Sequence, residues 1–144
     1  MTKPIETVLL VEDNADDEEL TRLAFEENAI AAELVVVRDG PEALEYLFCR
    51  GRHAGREGSA LPRLVLLDIK LPKANGHEVL DVIRADERTR GLPVIMMTTS
   101  SEARDRQDSA RLGADGFLRK PVDFQRFSAT LRQMVLAWLP AAGH

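Results

Sequence analysis

The chain has 144 residues, 44% hydrophobic and 30% charged, with a formal net charge of −5. That length and balance fit one compact domain, and the acidic excess argues against non-specific nucleic-acid or anionic-membrane binding, which needs clustered Lys and Arg. A single cysteine, Cys49, excludes an internal disulfide, and no apolar run near the amino terminus has signal-peptide or membrane-span length, so the expected location is cytoplasmic.

The first apolar run, Thr7 to Val11, reads as a strand and ends on the acids Glu12 and Asp13. A helical stretch over Asp16 to Asn28 leads to a second strand, Leu34 to Val37, and a helix over Pro41 to Arg50 that Gly40-Pro41 opens. Cys49, near the end of that helix, reads as a small core or boundary residue. The segment from Gly51 to Pro62 has three glycines and almost no apolar residue, and is expected to be a mobile surface loop. The third strand, Leu64 to Leu67, runs into Asp68 and is followed by a helix over Gly76 to Ala85. The fourth, Val94 to Met97, runs into Thr98 and Thr99 before a helix over Glu102 to Leu112 with Gly113 behind it. Gly116 to Leu118 is the fifth strand, with Lys120 just beyond it, and Asp123 caps a last helix that reaches Leu139. Strict alternation of strand and helix means right-handed crossovers and a parallel sheet covered on both faces.

In such a sheet every strand's carboxyl end lies on one edge, where open α/β folds bind ligands. Glu12, Asp13, Asp68, Thr98 and Lys120 all fall there. Three carboxylates held together repel one another unless a cation neutralises them, and magnesium suits hard oxygen ligands shared with a phosphate. Lys120 then supplies a fixed positive charge and Thr98 a hydroxyl for further phosphate oxygens. Asp68, on the central strand, is the expected nucleophile, because a carboxylate can accept a phosphoryl group covalently and such transfer needs positioning more than proton chemistry. His53, His77 and His144 read as solvated surface residues, as do the basic stretches Arg50 to Arg56 and Arg84 to Arg90.

Val-Glu-Asp-Asn at 11 to 14, Leu-Leu-Asp-Ile-Lys-Leu-Pro at 66 to 72 with Gly76, Met-Thr-Thr-Ser at 97 to 100 and Leu-Arg-Lys-Pro at 118 to 121 resemble the receiver domains of two-component response regulators. The resemblance spans about residues 5 to 139 and rests on four motifs in order. It implies a flavodoxin-like (βα)5 fold, doubly wound, with five parallel strands in the order 2-1-3-4-5. It implies that Asp68 takes a phosphoryl group from a sensor histidine kinase, and that Glu12, Asp13, Asp68 and the main-chain carbonyl of Lys70 serve magnesium. By the same resemblance Thr98 and Phe117 form the switch pair, and Lys120-Pro121 carries a cis peptide. Glu12 departs from the family's commoner Asp. Lys70 and Ser100 stand where side chains influence hydrolysis of the phosphoryl group; a lysine offers no obvious way to orient water, so slow autodephosphorylation is expected.

The Gly51 to Pro62 segment, Asp16-Asp17 and Lys-Pro-Val-Asp at 120 to 123 look like the small stand-alone regulators associated with bacterial phytochromes, which implies a bacteriophytochrome kinase as partner. The expectation is therefore a phosphoacceptor signalling protein and not an enzyme: one receiver domain over residues 1 to 144, with no output domain. Such a protein signals by protein contact. Surplus apolar residues on the last helix, Trp138 and Leu139 among them, suggest a homodimer through the fourth helix, fifth strand and fifth helix, against the alternative that they fold back on their own domain. A haloacid dehalogenase-type phosphatase, the alternative reading, has an acid two residues after its nucleophile, where Lys70 stands here. A flavodoxin-like nucleotide binder needs a small-residue phosphate loop after the first strand, whereas Glu12, Asp13, Asp16 and Asp17 there would repel phosphate without a metal.

Overall fold

The computed structural model describes residues 6–99, 103–120 and 123–139. Its centre is a parallel sheet of β1 (Glu6–Val11), β2 (Ala32–Val37), β3 (Leu64–Asp68), β4 (Val94–Thr98) and β5 (Gly116–Arg119), in the expected order β2-β1-β3-β4-β5. Every residue of β3 and β4 is buried, which is why both read as unbroken aliphatic runs rather than alternating ones. Register aligns the strand ends: Val11 lies opposite Val37 and Leu67, Asp68 opposite Met97, and Thr98 opposite Arg119. The chemistry-bearing ends of β1, β3, β4 and β5 are thereby brought level.

The helices are α1 (Ala15–Glu27), α2 (Gly40–Phe48), α3 (Gly76–Ala85), α4 (Ala103–Arg111) and α5 (Phe124–Leu136). Four of them leave the carboxyl edge through a side-chain cap. Asn14 accepts from Asp17 N, Asp39 from Glu42 N, Asn75 from Glu78 N and Asp123 from Gln125 N, at 2.7 to 3.0 Å. Each cap contributes about 1 kcal/mol and fixes where its strand-to-helix loop ends. Among the described residues no helix is long and apolar enough to cross a membrane.

Alternation along the strands sorts side chains into two cores. Leu9, Val11, Val65, Leu67, Val94 and Met96 pack with Ala43, Leu47, Val79, Leu80 and Ile83 from α2 and α3. Val8, Leu10, Leu64, Leu66, Ile95 and Met97 pack with Ala24 and Phe25 of α1 and Phe127, Leu131 and Val135 of α5. Helix α4 differs from the other four. Its sequence, ARDRQDSAR, has no apolar stripe, and only Ser109 is buried. Ser109 Oγ lies 3.0 Å from His77 Nε2, so His77 is not the solvated residue expected but a tie between the start of α3 and α4.

The expected mobile loop is also ordered over its first half. Cys49, at φ 54°, closes α2 in the left-handed region, and a 3₁₀ helix follows over Gly51–Arg56. Arg52 Nε donates to Glu45 Oε1 at 2.7 Å, and the Arg56 guanidinium lies 3.6 Å above the Tyr46 ring while donating to the Tyr46 carbonyl at 2.8 Å. His53 sits 3.0 Å from Glu42 Oε2 and edge-on to Tyr46, so it is half-buried and paired rather than solvated. The segment folds against α2 through arginines and a histidine in place of an apolar face. His144 lies outside the described residues.

Candidate functional site

Backbone geometry builds the pocket first. Glu12 N donates to Val37 O at 3.0 Å, which prolongs the strand pairing by one residue and carries the Glu12 side chain fully inside. Asp13, next along, is exposed. Asp68 ends β3 almost buried, and the loop after it folds back tightly: Gly76 N donates to Ile69 O at 2.7 Å, and a Cβ at Gly76 would collide with the Asp68 carbonyl oxygen. A glycine is required there by close approach. Lys70 N donates to Asp68 Oδ1 at 3.1 Å, holding the carboxylate's angle, while the Lys70 side chain is exposed.

Lys120 is fixed at both of its ends. Its backbone N donates to Thr98 O at 2.7 Å, hinging the residue after β5 on the end of β4. Its ammonium lies 2.7 Å from Asp68 Oδ2, 3.0 Å from Asp17 Oδ2 and 2.6 Å from Glu12 Oε1. Sequence reasoning therefore placed Glu12, Asp68 and Lys120 together correctly and missed Asp17. Asn14 caps α1 through Asp17 N, which puts Asp17 in the first helical turn near the strand end, but no local signal in the sequence tells that its carboxylate faces the pocket.

One oxygen each from Glu12, Asp13 and Asp68 lie within 4.8 Å of one another. With Asp17 the pocket holds four carboxyl groups against one ammonium, so negative charge is in excess. Burial pushes Glu12 up to about 7; the Lys120 ammonium opposes that shift and Asp68 adds to it. Burial works against the charge on Lys120 too, but its bonds to Asp68 and Glu12 outweigh this and hold its pKa above the usual lysine value. The amine is an ammonium throughout the physiological range.

A divalent cation fits this donor set. The oxygens are hard, negative charge is in surplus, and the single ammonium among them is shared by Glu12, Asp17 and Asp68.

Around the pocket, Thr98 is buried at the end of β4, and Phe117 is half-buried against the core under α2 and α3, with the Arg106 guanidinium of α4 over its ring at 5.3 Å. Pro121 and Ser100 lie outside the described residues, and with them the cis peptide expected at Lys120-Pro121. On α5, Phe127, Leu131 and Val135 face the sheet while Leu136 is 43% exposed; beyond its end Leu139 packs against the same core, and Trp138, 37% exposed, has most of its surface covered by its own domain.

The response regulator receiver domain model matches residues 8–132. The probable methanogenesis regulatory protein FilR2 of Methanothrix harundinacea is 39% identical over 132 residues, covering 92% of this chain and 83% of that protein. The bacteriophytochrome response regulator AtBRR superimposes with a TM-score of 0.80 at 41% identity, over 97% of this chain and 99% of its own. The Mn2+-bound form of response regulator Rcp1, a protein of Synechocystis sp., superimposes with a TM-score of 0.81 at 32% identity, over 94% and 99%.

Proposed function

The chain belongs to the response regulator receiver domain family, and on that footing we propose that it accepts a phosphoryl group on Asp68 from a sensor histidine kinase, in the cytoplasm and with magnesium bound. The observation that carries the reading is the placing of the Lys120 ammonium 2.7 Å from Asp68 Oδ2, beside the Glu12-Asp13-Asp68 trio. Asp68 Oδ attacks the phosphorus, the bond from phosphorus to the donor's imidazole nitrogen breaks, and the imidazole keeps the electron pair and takes up a proton. Lys70 N keeps Oδ1 turned aside, and Lys120 offers its charge to the incoming phosphoryl oxygens, where electrostatic stabilisation matters most.

Glu12, Asp13, Asp68 and the main-chain carbonyl of Lys70 would hold the cation, which when bound supplies charge neutralisation for the transferring oxygens. That Rcp1 has a Mn2+-bound form supports this. Thr98 and Phe117 are the switch pair in this reading. Lodging of Thr98 against the phosphoryl group would free space for Phe117 and so reshape the face of α4, β5 and α5, through which the protein signals. The likeness to AtBRR points to a bacteriophytochrome kinase as donor. Exposed Leu136 and Trp138 favour a second copy docking through the same face; a monomer by sedimentation at micromolar concentration, with and without phosphoryl donor, would remove that contact.

Incubation with acetyl phosphate and magnesium tests the assignment. Stoichiometric, acid-stable and base-labile labelling is expected, absent in Asp68→Asn; full labelling of that variant would overturn it. Decay of the purified phosphorylated chain reads the role of Lys70: the exposed lysine orients no water, so the phosphoryl group should outlast minutes, and a lifetime of seconds would refute that.

A further inference from the structure

The start of α1 brings a further carboxylate to Lys120, and we propose that Asp17 is a positioning residue for phosphoryl transfer, holding the Lys120 ammonium at the pocket while Glu12 and Asp68 are engaged elsewhere. The inference rests on the phosphoacceptor reading above.

An ammonium has three N–H donors. Here it faces three carboxylates, at 2.6 Å for Glu12, 2.7 Å for Asp68 and 3.0 Å for Asp17. Two of these belong to the trio whose oxygens converge within 4.8 Å, and Asp17 does not. Once the trio shares its charge with a cation and Asp68 bears a phosphoryl group, the lysine keeps one undivided counter-charge, that of Asp17.

Asp17 is well placed for the task. Its backbone N–H donates to the Asn14 cap at 3.0 Å, and its carbonyl accepts from the Thr21 hydroxyl at 3.0 Å, so the residue is held on both sides of its Cα. Lys120, 103 residues away in the sequence, has its own backbone bonded to Thr98 O. A lysine stem is flexible and its ammonium finds partners in many geometries. Anchoring the backbone alone leaves the amine free to follow whichever acid is strongest, whereas anchoring both ends leaves the other two N–H groups facing Glu12 and Asp68 in the pocket. The sequence reading gave Asp16 and Asp17 no part in the site; the geometry points to one for Asp17.

The test is a double-mutant cycle on the labelling rate from acetyl phosphate at saturating magnesium, using Asp17→Ala and Asp17→Asn, each in the unsubstituted chain and in Lys120→Ala. Contacting charged groups couple strongly, so Asp17→Ala should slow labelling about tenfold in the unsubstituted chain and less than about twofold in Lys120→Ala. Asp17→Asn keeps an acceptor oxygen at the same reach but gives up the counter-charge, and should recover part of the loss, labelling faster than the alanine variant and more slowly than the unsubstituted chain. It also carries the test if the alanine variant fails to fold. An unchanged rate in Asp17→Ala, an equal loss in both lysine backgrounds, or an asparagine variant as slow as alanine would each overturn the proposal. Failure of the unsubstituted chain to label at all would instead sink the phosphoacceptor reading, and this inference with it.

Discussion

The two edges of the sheet solve the same electrostatic problem in opposite ways. At the amino ends of the strands, Arg84 of α3 distributes its guanidinium over Gly113 O, Arg90 O, Leu92 O and the Asp115 carboxylate, at 2.7 to 3.1 Å, and Asp115 accepts in turn from Val94 N. One cation meets one anion, and the remaining N–H groups go to carbonyls. At the carboxyl ends, one ammonium contacts three carboxylates in a pocket that also holds a fourth, Asp13. The first arrangement is finished, while the second is complete only with a further positive charge. Surplus charge in a pocket that could have been balanced marks where a ligand belongs.

Removing each cation should separate the two edges. Lys120→Ala, in chelator at pH 8, leaves the carboxylates mutually exposed and should cost about 3 kcal/mol in urea unfolding. Millimolar magnesium should restore most of that, because binding to the folded chain alone stabilises it. Labelling of Asp68 should fall sharply in the same variant although the metal still binds. Arg84→Ala should cost about 2 kcal/mol, mainly through the carbonyls and carboxylate it orphans, with no response to magnesium and no change in labelling of the folded chain. A magnesium-sensitive loss at Arg84, or an insensitive one at Lys120, would break the contrast.

The smallest effect sharpens it. Glu12 has a raised pKa when folded, so between the ordinary 4.5 and about 7 the folded chain keeps a proton that the unfolded chain has released. Its contribution is therefore complete below 4.5 and is lost as pH rises through 7, because the folded state then carries a buried charge. In chelator, the melting temperature should decline by a few degrees from pH 5 to pH 8 on this account. The decline should be absent in Glu12→Gln and should shrink with magnesium, and magnesium affinity should weaken below pH 7 as the proton competes for Glu12. A melting temperature that Glu12→Gln leaves equally pH-dependent would assign the decline to other groups.

The carboxyl edge was largely legible in the sequence because strand ends are. An aliphatic run that stops on an acid or a hydroxyl places that residue at the edge whatever the details of packing, and so Glu12, Asp68 and Thr98 fell where the strands required. Helix α3 was legible for a related reason: Asn75 caps it and Gly76 must approach Asp68, so its limits are set by local chemistry. Asp17 was not, because one turn into a helix nothing local tells which way a carboxylate faces. Nor was the segment after α2. Gly51 to Arg56 lacks apolar residues, and its order comes from guanidinium groups stacking on Tyr46 and pairing with Glu42 and Glu45, contacts that leave no periodic pattern. In the second basic stretch Arg84 is a half-buried staple, whereas Arg88, like Arg50 of the first, lies over the Phe48 ring at 4.6 and 5.0 Å and stays exposed as the sequence suggested.

The hydrogen bond from Lys120 N to Thr98 O has a mechanical meaning. It ties the hydroxyl-bearing end of one strand to the amine-bearing end of its neighbour. Were the threonine drawn inward as proposed, the outermost strand, which carries Phe117, would be tugged with it. News of the chemistry would then reach the far face as a displacement of two coupled strand tips rather than through a relay of separate side chains.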